Sequence, residues 1–488
     1  MTVIQQALFM VDEGVDPAWT NVFGTANNDW SYSNAVDSDK NVYLVGLART
    51  GTWGRAWGCL HKFDKDGNFQ WGRTIGDASA AHNTWFAHVA VSSDRIVVVG
   101  QTLNNPNAAN TGNYQDMIIA MYDMSGTLIW QKIYGKVTEW PGQNWSHHDM
   151  SEHVLIDSSN NVYICGNQQN QCGSGIGVCN ANALILKFDS SGTLQWQNKW
   201  NVAGEQGNLN TGGGSDRGRT ELFKDMAFDS NGDIIVAGQQ EDTWDQNDED
   251  YLVMKYNPSN GSVLMEKKVS WGANEYLTGM TLDSNDNIYC VGGNGTGATN
   301  SNKPTISKFN SSMVHQWTKQ ITSLGHKAFN SVRCDSSDNV YAMFYHENLL
   351  TGSSDDDLGI IKFDSSGNVV WQRALGCHAG SDIAFSHNPM TIKGDSFWFS
   401  THGTTGGMGS SDRSISRFPI DGSKTGTYTV ASQTWENDSI NVTIVNGSAP
   451  TVSSSGLSAY VHDAQVWSSP YTHGSLIHTY THHLTTVS

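Results

Sequence analysis

Residues 187–197 read KFDSSGTLQWQ, and residues 362–372 read KFDSSGNVVWQ. A strand-like run, an Asp-Ser-Ser-Gly turn and a second strand carrying tryptophan recur almost letter for letter. The turn has a physical reading: the aspartate accepts hydrogen bonds from nearby backbone amides, and glycine supplies the positive φ that the reversal needs. Moving outward, the tryptophan position is filled by Trp19, Trp71, Trp130, Trp196, Met265, Trp317 and Trp371, with Val430 a weak final echo, at intervals of 52 to 69 residues. Seven units follow.

Each unit holds four strand-like runs. In the third they are EHVLID, NVYICG, ALILKFD and TLQWQNKW, and in the second AHVAVS, RIVVVG, DMIIAMYD and TLIWQKIYG. Val, Ile, Tyr, Phe and Trp crowd the runs, and Asp, Asn, Ser and Gly fill the intervals. Units of this size predict an all-β fold, a seven-bladed β-propeller of four-stranded antiparallel blades over residues 18–430. An N-terminal arm, 1–17, precedes it, and a small β-rich C-terminal extension or docking tail, 431–488, follows. Blades apolar on both faces explain why RIVVVG and ALILKF run apolar without alternation. The repeated tryptophans then act as blade-docking spacers in wedges that widen with radius. Lys62, Lys187, Lys255, Lys308, Lys362 and Arg417 lay their stems along the sheet with their charges near the acidic turns. Ring closure has two candidates, AWTNVFG at 18–24 and TGTYTV at 425–430.

Composition agrees with many short strands: 50 Gly, 18 Trp, 9 Pro and 15% charged residues. The formal net charge of -19, from 28 basic and 47 acidic residues, leaves no global basic footprint for nucleic acid or an anionic membrane. The start, MTVIQQALFMVDEG, lacks a basic segment followed by a long apolar one, so no signal peptide and no membrane insertion are expected, and synthesis in a host cytoplasm is. Of seven cysteines, Cys165, Cys290 and Cys334 sit in strand patterns where a buried free thiol is the ordinary reading. Cys172 and Cys179, in CGSGIGVC, are the one pair that raises a disulfide or a metal site.

The pattern DSSNNVYICG…ALILKFDSSGTLQW, with DSNDNIYCVGG…TISKFNSSMVHQW and DSSDNVYAMF…GIIKFDSSGNVVW, resembles the bacterial beta-propeller repeat known as the SBBP repeat, over about residues 19–430. That resemblance implies a fold and little chemistry. In style alone, the scarcity of Lys and Arg and the Asn/Gly/Ser/Trp-rich loops resemble virion proteins of tailed marine phages. The Asp-turn-Trp unit also resembles the tryptophan docking motif of quinoprotein dehydrogenases, but those enzymes have one blade more, a longer turn and an export signal.

In a propeller the first-to-second and third-to-fourth turns share one face, which here collects the aspartate turns. The other face collects the long variable connections, where function is commonly placed on a repeated scaffold. Those connections carry Trp53, Trp57, Trp140, Trp145 and Trp244, with His147 and His148. They suit stacking on a sugar ring or burial in a protein contact; the competing reading is that each tryptophan anchors its own loop. Aligning the inner strands brings Ser33, His88, His153, Asp225, Gly279, Ser331 and Asp382 to one position around the channel, as ligands of a metal or as solvated polar groups. DKDGN (64–68) and DSNGD (229–233) open like calcium loops but do not continue to the required glutamate. No nucleophile elbow, phosphate loop or zinc-protease helix is present.

The expectation is a non-enzymatic structural or attachment protein of a phage virion, tail- or fibre-associated, with no catalytic residues, no cofactor and no metal. Its partners would be other virion proteins, through the termini, and a host-surface glycan or receptor, through the loops. The alternatives are a carbohydrate-binding, lectin-like bacterial propeller and a propeller hydrolase or dehydrogenase.

Overall fold

The computed structural model describes residues 18–487 except 26, 50–55, 77–82, 104–114, 137–147, 170–180, 203–220, 242–248, 273, 296–302, 325–327, 348, 351–355, 378–381, 384–388, 404–410, 431–432, 454–456, 461–463, 469–471 and 476–480. Among these residues every regular element is a strand, and the strands form seven antiparallel sheets arranged as the blades of a propeller. From hub to rim, blade 1 is Asp29–Val36, Val42–Arg49, Ala56–Phe63 and Phe69–Gly76, and blade 2 is Thr84–Val91, Arg95–Leu103, Gln115–Asp123 and Leu128–Lys136. Blade 3 is Asp149–Ile156, Val162–Gln169, Ala181–Phe188 and Leu194–Val202; blade 4 is Glu221–Phe228, Ile234–Glu241, Glu249–Tyr256 and Val263–Ser270. Blade 5 is Asn274–Leu282, Ile288–Gly295, Lys303–Phe309 and His315–Ile321; blade 6 is Phe329–Cys334, Val340–Glu347, Asp356–Phe363 and Val369–Cys377. Blade 7 has a split inner strand, Asp382–Ile383 and Met390–Lys393, followed by Ser396–Gly403 and Asp412–Pro419.

The fourth strand of blade 7 is Ala18–Gly24, which pairs Trp19 with Arg417 and so closes the ring with the start of the chain. The rival segment and its echo at Val430 do not occupy that place. Gly426–Val430 pairs instead with Gln433–Ser439 on the rim of blade 6, because the outer edge of Asp412–Pro419 is already taken.

The repeated turn and tryptophan turn out to be two halves of one joint between blades. Trp71, Trp130, Trp196, Trp317 and Trp371 each rest on the turn glycine of the next blade, Gly126, Gly192, Gly261, Gly367 and Gly422. These glycines hold φ between 71° and 80°. A methyl group on Gly192 or Gly261 would stand 2.9 Å from the indole, so glycine is required both for the backbone and for the seat. The indole N–H of Trp19, Trp130, Trp196 and Trp317 donates to the neighbouring turn, at Lys65 O (2.9 Å), Ser190 O (3.0 Å), Pro258 O (3.2 Å) and Ser365 O (3.3 Å). Where Met265 replaces tryptophan, Met313 replaces the facing glycine, at φ 62°, and the two thioethers pack in one cluster. The aspartate turns are equally regular: Asp37, Asp157, Asp283 and Asp335 each take the hydroxyl of a tyrosine six residues on. Lys62, Lys187, Lys308 and Lys362 lie over those tyrosine rings, 4.9 to 5.2 Å from the centroids. Lys255 reaches Asp229 at 2.6 Å.

The C-terminal segment, set apart in the sequence as an extension, runs backwards around the rim and gives every blade one further strand. Gln433–Ser439 adds to blade 6, Ile444–Asn446 to blade 5, Thr451–Ser453 to blade 4 and Leu457–Tyr460 to blade 3. Ala464–Ser468 adds to blade 2, Thr472–Ser475 to blade 1, and Thr481–Val487 to blade 7, against Ala18–Gly24. Blades splay apart with radius, and side chains of this belt fill the gaps. Trp435, 1% exposed, packs between blades 6 and 7 with Leu358 and Phe397, and Val442, 7% exposed, packs between blades 5 and 6 with Ile306 and Phe344. Polar bonds fix the path: the Val442 amide donates to Gln372 Oε1 at 2.9 Å, and the Trp271 indole donates to Ser448 O at 2.9 Å.

Candidate functional site

At the hub, Ser33, His88, His153, Asp225, Gly279 and Ser331 occupy one register position on the inner strands, and His88, His153 and Asp225 come into contact. Each inner strand of blades 1 to 6 carries a register shift at the same place, after Ser31, Phe86, Ser151, Phe223, Leu277 and Phe329. A bulge inserts one residue and re-aims the side chains beside it. Two consecutive positions thereby turn toward neighbouring blades.

At the first position Lys224 Nζ donates to Glu152 Oε1 at 2.8 Å, joining blades 3 and 4, and the Thr278 hydroxyl donates to the Phe329 carbonyl, joining blades 5 and 6. At the second, the His88 and His153 rings lie 3.8 Å apart, and His153 Nε2 donates to Asp225 Oδ1 at 3.0 Å. The Val154 amide donates to His88 Nδ1 at 3.4 Å. Asp225 also accepts from the Met280 amide at 2.8 Å and faces Arg333 Nη1 at 3.5 Å. Burial alone would raise the Asp225 carboxyl; the His153 and Arg333 charges, with the hydrogen bonds from His153 and the Met280 amide, outweigh it and hold the group below its usual range. The network thus links blades 2, 3, 4, 5 and 6, with each carboxylate matched by a cation or donor.

This geometry favours holding blades in register over chemistry. His88, His153 and Asp225 are 5%, 4% and 1% exposed. Cys165 stands opposite His153 in the strand pairing, but burial first, then the Asp225 and Glu152 charges, push its thiol well above the ordinary value, so it stays protonated and unreactive. Among the described residues no group of three or more His, Cys, Asp and Glu is placed to hold a metal ion. The Asp382 side chain lies outside the described residues.

Of the residues read as loop-face binders, Trp53, Trp140, Trp145, His147 and Trp244 lie outside the described residues. Trp57 is a correction: it belongs to the strand Ala56–Phe63, is 7% exposed and lies against Gly76, where a methyl group would meet its ring at 2.5 Å. Strand placement turns this ring into the sheet packing, leaving no free face for stacking. His148 is half-buried in an isolated bridge with Gln115, and burial lowers its pKa. Cys172 and Cys179 also lie outside the described residues, while Cys165 and Cys290 are free and buried and Cys334 is free and partly buried.

One group was missed by sequence reasoning. Glu241 and Glu249 face each other across blade 4, at the two ends of the connection that contains Trp244. Burial and the Glu241 charge push Glu249 up to about 7, against the opposing pull of Lys224 and a hydrogen bond with Gln239. In QQEDTWDQNDED nothing distinguishes this carboxyl from its five acidic neighbours except strand register, which the letters do not give.

No family profile and no curated protein matches the chain. Among solved structures it is similar to a luciferin-regenerating enzyme (12% identity, TM-score 0.35, covering 72% of this chain and 93% of that one). It is also similar to a europium-containing methanol dehydrogenase (10%, 0.35, 78% and 78%). A third likeness is to the propeller domain of the trilobed protease of Pyrococcus furiosus (11%, 0.38, 81% and 97%). At these values the likenesses carry nothing about activity, and the seven-bladed propeller rests on the strand pairing itself.

Proposed function

We propose that the chain is a non-enzymatic attachment or joining component of a phage virion, an SBBP-like propeller used as a rigid binding scaffold. The observation that carries this reading is the way the fold is closed. The hub is spanned by matched polar pairs, each with a buried carboxylate, and the rim is wrapped by the chain's own C-terminal segment. Both suit a part that must keep its shape under load and offer its faces to partners. The strand ends opposite the aspartate turns are those from which the long variable connections depart, which fits partner recognition on that face. Recognition of a host-surface glycan or receptor through those connections belongs to the same proposal.

Density-gradient sedimentation of lysate from the native source, with the chain followed by peptide mass spectrometry, tests the role. Co-migration with DNA-filled particles in high salt is the expected result. Recovery only as free protein at the top of the gradient would overturn it.

A further inference from the structure

The repeat departs from its own pattern at one junction. Between blades 4 and 5, Met265 and Met313 stand where other junctions carry tryptophan and glycine. The residues beside them depart too. Leu264 takes a position held by Gln70, Gln195 and Gln316 on blades 1, 3 and 5, and Val314 a position held by Asn68, Thr127, Thr193, Ser262 and Asn368. Leu264 is 50% exposed and Val314 56%. No other junction places large apolar residues at both positions. Toward the opposite face of the same rim sector, Val445 on the belt strand of blade 5 is 38% exposed. Core packing does not account for aliphatic side chains left in water on both blades of a single junction.

We infer that this sector of the rim is a self-association surface, on which a second copy of this chain docks edge to edge. Three observations favour that occupant. First, from Val442 to Ser488 the chain has no Lys, Arg or Glu and one Asp, Asp463, so the belt strands from Ile444 onward lack the charged guards that usually block an exposed edge. Second, the molecule carries -19 overall. Its aspartate-turn face stays ionised, with Asp123 held below the usual carboxylate range by the Ser125 hydroxyl and by amides of its turn. Two copies therefore repel face to face and meet with less cost along the belt, whose strands from Ile444 onward carry no Lys, Arg, Asp or Glu. Third, the mode already exists in the fold: on blade 6 the outer edge of Gln433–Ser439 takes a further antiparallel strand, Gly426–Val430. Two identical edges meeting antiparallel make a closed two-fold contact, with the Leu264/Val314 patch and Val445 buried on each side.

Sedimentation velocity of the full chain across the micromolar range tests this. The wild type is expected to pass from monomer to dimer as concentration rises. Leu264→Lys combined with Val445→Lys should weaken the dimer by an order of magnitude or more at unchanged melting temperature, whereas Ile129→Lys, at the position of blade 2 equivalent to Leu264, should leave it intact. A wild type that stays monomeric, or a dimer indifferent to the paired lysines, overturns the inference. Incorporation of a strictly monomeric chain into particles would remove it while leaving the virion role standing.

Discussion

Trp196 and Gly261 show how far single residues could be read. The repeated letters assigned the tryptophan to blade docking and the glycine to a turn; what the letters did not reveal is that the two touch, across a blade boundary. The Met265/Met313 pair follows from that contact, because a flexible thioether on one side frees the other from being glycine. Met265→Trp alone should overpack against Met313 and cost about 1–3 kcal/mol. Met265→Trp with Met313→Gly should rebuild the ordinary joint and recover most of that loss, with a coupling of about 1–3 kcal/mol in urea unfolding. Strict additivity of the two changes would show that the residues do not form a joint. Trp57 marks the opposite case, since RTGTWGRAWG reads as a loop until the pairing of Ala48 with Trp57 places it in a strand.

At the scale of the element, the four repeat strands of each blade, their order and the inner-strand alignment of blades 1 to 6 were legible, because the bulge falls at the same offset in six blades. Ring closure was not, since AWTNVFG and GTYTV are locally equivalent strands and only the edge of Asp412–Pro419 decides between them. The opposed Glu241 and Glu249 give a pH prediction for blade 4. With the Glu249 carboxyl raised from 4.5 to about 7, the folded chain holds a proton through this window that the unfolded chain releases. The contribution is favourable at low pH and is lost as pH rises from about 4.5 to 7. Glu249→Gln should therefore gain stability relative to wild type progressively over that range in pH-dependent thermal melts; a constant difference would show that Glu249 titrates normally.

At the scale of the whole molecule, the belt is the feature that sequence could not supply. Its strands run to three residues at Ile444–Asn446 and Thr451–Ser453, too short for a periodic signal, and their pairing partners lie more than a hundred residues away. Read as letters, residues 431–488 were a tail; in the fold they bind the seven blades in reverse order and end beside the first strand, so that Ala18–Gly24 is held between Asp412–Pro419 and Thr481–Val487. Both proposals depend on this closure, one for rigidity and the other for the uncharged edge. Hydrogen exchange of the full chain, read by mass spectrometry, tests it most directly. The account predicts that peptides covering Ile444–Asn446, Ala464–Ser468 and Thr481–Val487 exchange slowly, in step with the fourth strands they pair with. Belt peptides exchanging as fast as unstructured chain, beside protected fourth strands, would contradict it.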